Sequence, residues 1–157
     1  MTIAVTGATG FVGCALREEA ARQGLEIRAL TRRKQPNTDG VEWIPGDLHD
    51  RKALARLVSK AEAVVHVAGV VNTPDPMGFH LGNVEGTMAL VEAAVAARVP
   101  RFIFVSSLAA REPKLSKYGA SKNRAEKLVG ASGLDWSIVR PPAIYGPHDR
   151  EMLEMFR

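Results

Sequence analysis

A short apolar strand that runs directly into three glycines spaced three residues apart constrains this chain more than any other feature. Thr2-Ile3-Ala4-Val5-Thr6 leads into Gly7-Ala8-Thr9-Gly10-Phe11-Val12-Gly13, and a helical pattern starts at once. Glycines at that interval let the backbone turn sharply, approach a pyrophosphate and pack the following helix closely on its strand. The helix start adds free N–H groups and the positive end of its dipole. Spaced glycines alone would read as a turn. With a strand before, a helix after and a place at the N-terminus, they read as a nucleotide loop, with contacts assigned to Gly7, Thr9, Gly10, Phe11, Val12 and Gly13.

The rest of the chain repeats this strand-then-helix order. Strands are predicted at Ile3–Thr6, Leu25–Leu30, Val41–Ile44, Ala63–Val67, Arg101–Ser106 and Trp136–Val139, and helices at Phe11–Gln23, Arg51–Ser59, Val84–Arg98 and Ser116–Ala131. Short β-branched runs followed by longer amphipathic stretches mark parallel β-α units with right-handed crossovers. Gly24 and Leu81-Gly82-Asn83 are read as helix ends, and Gly133 as the break before the last strand. The expected fold is α/β: a doubly wound parallel sheet of about six strands, with ligand at the strands' carboxyl ends. The chain reads as one dinucleotide-binding domain over residues 1–157, which is enough for a substantial core. Its apolar tail, Glu151-Met152-Leu153-Glu154-Met155-Phe156-Arg157, stops in mid-pattern, and the expectation is a truncated chain or fragment, with a short natural protein as the alternative.

Composition removes several classes. No apolar run approaches the roughly 20 residues that span a bilayer, and the N-terminal apolar residues belong to a strand rather than a signal peptide. The expected address is cytoplasmic, with no membrane partner. The net charge is +4, but basic residues are mixed with acids except at Arg32-Arg33-Lys34, and no aromatic residues interleave there. That pattern suits a local anion site, not nucleic acid. Cys14 is the only cysteine and four scattered histidines lack ligand spacing, so no metal site is expected.

The end of the second strand should choose the cofactor. A carboxylate there holds the ribose diol of NAD, whereas a cation suits the 2′-phosphate of NADP. Here Ala29-Leu30-Thr31-Arg32-Arg33-Lys34 carries no acid. NADP is the expected cofactor and NAD the second choice, with Arg32 the leading phosphate contact and Arg33 the next. Asp47, after the third strand, is placed to accept from the adenine amino group with Leu48 beside the ring; the other reading is a turn aspartate capping the helix at Arg51, and the two roles are compatible. Ala68 and Gly69 end the fourth strand and leave room for the ribose. His66 is read as packed against the sheet.

Tyr118-Gly119-Ala120-Ser121-Lys122 is the second constellation. Tyr and Lys four apart share one helix face. A free phenol, with a pKa near 10, is a poor base at neutral pH, and a nearby ammonium favours its anion. Ser106-Ser107, at the end of the fifth strand, is placed to hydrogen-bond a substrate oxygen.

Together these residues resemble the short-chain dehydrogenase/reductase superfamily, most closely its extended, epimerase/dehydratase-like branch. The likeness covers nearly the whole chain: the loop from Thr6 to Gly13, Asn83-Val84-Glu85-Gly86-Thr87 as the Asn-bearing helix start, and Arg140-Pro141-Pro142-Ala143-Ile144-Tyr145-Gly146-Pro147 as the segment closing over the nicotinamide. The resemblance implies Tyr118 as general acid/base and Lys122 as its activator and a ribose contact. It implies Ser107 as the substrate-orienting hydroxyl, with Ser106 the fallback, and Asn83 as support for a proton-relay water. Pro141 and Ile144 would lie by the nicotinamide.

Two departures from the extended pattern stand out. Ala109-Ala110-Arg111 replaces an aromatic-Gly pair, and only the short Glu112–Lys117 link precedes the tyrosine. That spacing is closer to compact or atypical members, including relatives of a complex I accessory subunit, some of which bind nucleotide without known turnover. The second departure is that the branch's C-terminal substrate subdomain is expected to lie outside this sequence. The expected activity is that of an NAD(P)-dependent oxidoreductase or epimerase/dehydratase-like enzyme, with hydride transfer at a hydroxyl/carbonyl carbon of a small-molecule substrate such as a nucleotide sugar. The alternative is a non-enzymatic NADP(H)-binding module, a redox sensor or accessory subunit. A homo-oligomer stays open.

Overall fold

The computed structural model describes residues 1–147 and 149. Six parallel strands form one sheet in the order β3-β2-β1-β4-β5-β6. They are β1 (Thr2–Thr6), β2 (Glu26–Thr31), β3 (Val41–Pro45), β4 (Ala63–His66), β5 (Phe102–Val105) and β6 (Trp136–Val139). The order reverses between β1 and β4, where Thr6 lies in register with His66. In open α/β sheets that reversal is where ligands bind. The helices are α1 (Phe11–Arg22), α2 (Arg51–Val58), α3 (Pro76–Phe79), α4 (Gly86–Ala96) and α5 (Lys117–Gly130). A π-helical turn (His80–Glu85) joins α3 to α4, and a 3₁₀ turn (Leu108–Arg111) precedes α5.

Strand alternation sorts the side chains into two cores. Ala4, Leu30, Val64, Phe102 and Phe104 point to the face covered by α2, α4 and α5, meeting Leu54, Leu57, Leu90 and Val129. Their neighbours Ile3, Val5, Ile27, Ala29 and Val65 point to the other face, against Ala20 of α1. Full burial of a side chain such as Phe102 or Leu57 stabilises by about 2–3 kcal/mol.

Local chemistry explains most boundaries. Gly24, at φ +64°, closes α1: its own N–H reaches the Ala21 carbonyl and that of Leu25 reaches Ala20. Asp50 caps α2 by accepting from the Ala53 N–H at 2.9 Å, and Ser116 caps α5 by accepting from Gly119 at 2.9 Å. Two expectations are corrected. Asp47 does not cap the Arg51 helix, because its Oδ1 accepts from His49 N–H at 2.8 Å in its own turn. Nor do Leu81-Gly82-Asn83 end a helix: the helical run begins at Pro76, eight residues before the expected start, and passes through them as the π turn. The tail at 151–157 lies outside the described residues.

Candidate functional site

All the loops singled out in the sequence converge on the carboxyl edge of the sheet. After β1, Gly7 adopts φ +74°, and a Cβ there would lie 2.6 Å from Ala68 N. A Cβ at Gly13 would overlap the Gly7 carbonyl and sit 2.6 Å from Ala8 Cα. Both glycines are therefore demanded by the fold itself. Gly10 is different. It is exposed, adopts an ordinary extended conformation as the N-cap of α1, and a Cβ would meet only Gly7 O at 3.4 Å. No side chain caps α1, so its first N–H groups face the edge with Thr9 exposed and Phe11 and Val12 half-buried beside them. Arg17 holds the loop from behind, donating to the Ala8 carbonyl at 2.8 Å. Cys14 is half-buried and takes a bond from Arg17 at 3.3 Å, a packing role. Among the described residues no group of three His, Cys, Asp or Glu is placed to hold a metal ion.

Arg32 and Arg33 follow β2 and are exposed. The Thr31 hydroxyl shapes their turn, donating to the Arg33 carbonyl at 2.7 Å. Asp47 is exposed at the end of β3, while Leu48 packs back onto the core and would touch a Cβ placed on Gly86.

The other half of the edge is built from α5 and the π turn. Tyr118 is half-buried with its ring 6.2 Å from that of Phe79. Lys122, one turn on, is buried; its Nζ donates to the Val105 carbonyl at 2.9 Å and lies 4.4 Å over the Phe104 ring. A Cβ at Gly69 would lie 3.6 Å from that Nζ and 3.1 Å from Asn83 Oδ1. Glycine thus keeps this corner open beside the ammonium. Burial lowers the Lys122 pKa from 10.5 to about 8, against a smaller raising effect of the Glu126 charge.

Asn83 is buried and its amide is heavily used. Oδ1 accepts from Val70 N–H at 2.7 Å, and Nδ2 donates to the Val70 carbonyl and to Ser121 Oγ, each at 2.9 Å. Both donors are thereby spent, and only oxygen lone pairs remain for a water. Ser107 Oγ accepts from Ala109 N–H at 3.2 Å, leaving its own proton for a ligand. Ser106 fails as the fallback: it is buried and donates to Glu126 Oε1 at 2.6 Å, so its proton is committed.

Glu126 escaped the sequence reading, although it continues the Tyr118–Lys122 stripe by another four residues. Arg140 grips it through two bonds, at 2.9 and 2.6 Å. Burial raises the carboxyl's pKa, but the bonds from Arg140 and Ser106 outweigh it and hold the group below its ordinary value. This clamp fixes the exit of β6. Pro141 then accepts from Leu108 N–H at 2.9 Å, which brings the Ser107 turn to the proline segment. A Cβ on Gly146 would lie 3.7 Å from Phe11, so that segment, with Ile144 exposed on it, returns toward the glycine loop.

A consequence for stability follows from Lys122. Below pH 8 the ammonium is charged in both states, and burying it costs about 3 kcal/mol; the cost vanishes above pH 10.5. Lys122→Met should therefore stabilise the protein at neutral pH by about 2 kcal/mol, after about 1 kcal/mol for the lost Val105 bond. Denaturant melts at neutral and alkaline pH check this: the gain must shrink as pH rises.

Comparison with known proteins agrees with this geometry. A family described as NAD(P)H-binding matches residues 7–152. The chain belongs to that family. It is an NAD(P)-binding Rossmann domain with structural neighbours in the short-chain dehydrogenase/reductase and epimerase/dehydratase superfamily. A ceramide reductase of Caulobacter vibrioides (strain NA1000 / CB15N) is 47% identical over 159 residues, covering 99% of this chain and 50% of the relative. A short-chain dehydrogenase/reductase superfamily protein from Agrobacterium tumefaciens, solved with NAD, is 31% identical at TM-score 0.78, covering 89% of this chain and 48% of that one. UDP-glucuronic acid 4-epimerase from Bacillus cereus, in complex with NAD, shares the fold at 22% identity and TM-score 0.85, over 96% of this chain and 58% of that one. The domain spans about half the length of these relatives. Among its described residues no helix is long and apolar enough to cross a membrane.

Proposed function

We propose that this Rossmann domain is the cofactor half of an NAD(P)H-dependent reductase that acts on a carbonyl carbon and prefers NADP. The observation that carries the reading is the corner where Lys122 Nζ and Asn83 Oδ1 flank the space kept open by Gly69, one helical turn from Tyr118. The bound nicotinamide supplies the hydride. Tyr118 then gives its phenolic proton to the substrate oxygen, Ser107 orients that oxygen, and Lys122 holds the ribose and favours the phenolate left behind. Gly7, Gly10 and Gly13 let the uncapped start of α1 reach the pyrophosphate. Similarity to the ceramide reductase, which extends over nearly the whole chain, favours a ceramide-like lipid as the substrate over a nucleotide sugar.

The test is turnover by the whole natural chain. NADPH oxidation should appear with a keto form of a ceramide in mixed micelles and not with UDP-sugars. Tyr118→Phe should lower kcat by roughly a hundredfold or more with nucleotide affinity nearly unchanged, because only the proton is lost. An active Tyr118→Phe enzyme would overturn the mechanism. Tight nucleotide binding without turnover of any carbonyl compound would favour the binding-module alternative.

Cofactor preference rests on Arg32, exposed after β2 with no acid beside it. Arg32→Ala should weaken NADP by about 1.5 kcal/mol, or roughly tenfold, and leave NAD unchanged. Calorimetry with both nucleotides decides; equal losses would move the phosphate contact to Arg33 or the preference to NAD.

A further inference from the structure

One buried histidine has no part in that mechanism, yet its bonds run to both halves of the cleft. His66 ends β4 and is fully buried, stacked on Phe104 at 5.3 Å. Its Nδ1 lies 2.6 Å from Thr6 Oγ1 and its Nε2 lies 2.9 Å from Thr87 Oγ1. The surrounding bonds settle where the protons are. Thr87 spends its hydroxyl proton on the Asn83 carbonyl at 2.7 Å, so toward His66 its oxygen can only accept. Nε2 must then carry the ring proton. In the neutral ring Nδ1 is a bare acceptor, so Thr6 donates to it. Thr6 oxygen in turn accepts from Ala68 N–H at 3.2 Å.

We infer that His66 is a positioning residue that joins two clamps on the cleft wall at residues 68–70. Thr6 grips the wall at Ala68, and Asn83, seated in the π turn through Thr87, grips it at Val70. The wall carries Gly69, whose open corner the nucleotide needs. Asn83 also reaches Ser121, one residue before Lys122 on α5. One ring therefore sets the nucleotide side and the proton side against each other. Only the affinity arm below depends on the nucleotide-binding reading.

The experiment uses the whole chain. Long-range proton–nitrogen spectra of His66 should show the Nε2–H tautomer at neutral pH; the Nδ1–H tautomer would overturn the relay. Thr87→Val removes the hydroxyl behind the ring, on the side away from the wall. It should shift His66 toward Nδ1–H, speed amide exchange at Ala68 relative to Val5 and Val64 in the strands, and weaken NADP about fivefold. Thr87→Ser should restore all three. If Thr87→Val does not fold, Thr6→Val reads the same connection from the other end, as faster exchange at Val70. A purely packing role predicts uniform loss of protection across the sheet with nucleotide affinity within twofold, and that result would overturn the proposal. A wild-type protein that binds neither nucleotide would refute the cofactor reading, while the tautomer and exchange results still decide the relay.

Discussion

Gly10→Val is expected to leave the sheet folded and to cost nucleotide affinity about 3 kcal/mol, roughly a hundredfold, whereas Gly13→Ala is expected to destabilise the fold itself. The contrast comes from what each new Cβ would meet. At position 10 the nearest atom is Gly7 O at 3.4 Å, ordinary contact, and the backbone is extended. A β-branched N-cap destabilises α1 by about 1 kcal/mol at most. The side chain would instead occupy the space over the α1 N–H groups where the pyrophosphate is proposed to lie. At position 13 the Cβ would sit 2.6 Å from Ala8 Cα, backbone that cannot give way without lifting α1 from β1. That overlap costs at least about 3 kcal/mol. Thermal melts with NADP titrations separate the two effects. A folded Gly10→Val variant with undiminished affinity would take the loop out of the site.

Acid should destabilise the protein through His66, before its carboxylates protonate. Burial first, and the Lys122 charge second, lower the His66 pKa from 6.5 to about 3. Unfolding lets the ring take a proton that the native state refuses. The stability it contributes is therefore complete above 6.5 and is lost progressively as pH falls toward 3. Between about pH 7.5 and 4.5 the loss should be about 3 kcal/mol. Glu126 acts in a lower window: its pairing with Arg140 contributes stability above the ordinary carboxylate range, lost as pH falls through its lowered value. Urea melts at the two pH values read chiefly the first window. His66→Gln should flatten that slope; an equal slope in wild type and variant would assign the effect elsewhere.

The proton assignments also recast the site residues. Glu126 holds both Arg140 and the Ser106 hydroxyl, so Ser107 is left as the hydroxyl at the end of β5 whose proton is uncommitted. Asn83 ties the 68–70 wall to α5, which makes its amide a structural brace.

The linear sequence determined the strand-helix order, the two-faced alternation of Phe102, Ile103 and Phe104, and the glycine loop, because each depends on residues within a few positions of one another. Tyr118 and Lys122 were legible for the same reason, since four residues make one helical turn. What only the tertiary structure decided was which polar group answers which. Gly82-Asn83 carries the local chemistry of a helix stop, yet the helical run passes through it, with the Asn83 carbonyl taken by Thr87 and its side-chain amide bonded to the wall at Val70. Asp47 and Asp50 both have the chemistry of a cap, and only the path of the chain gives the role to Asp50. His66, Thr6 and Thr87 are ordinary strand and helix residues until the β1/β4 register sets Thr6 beside His66 and the packing of α4 brings Thr87 to the other side of the ring. A buried donor must find an acceptor wherever the fold supplies one, and those partners stand as far as 62 residues apart in the chain.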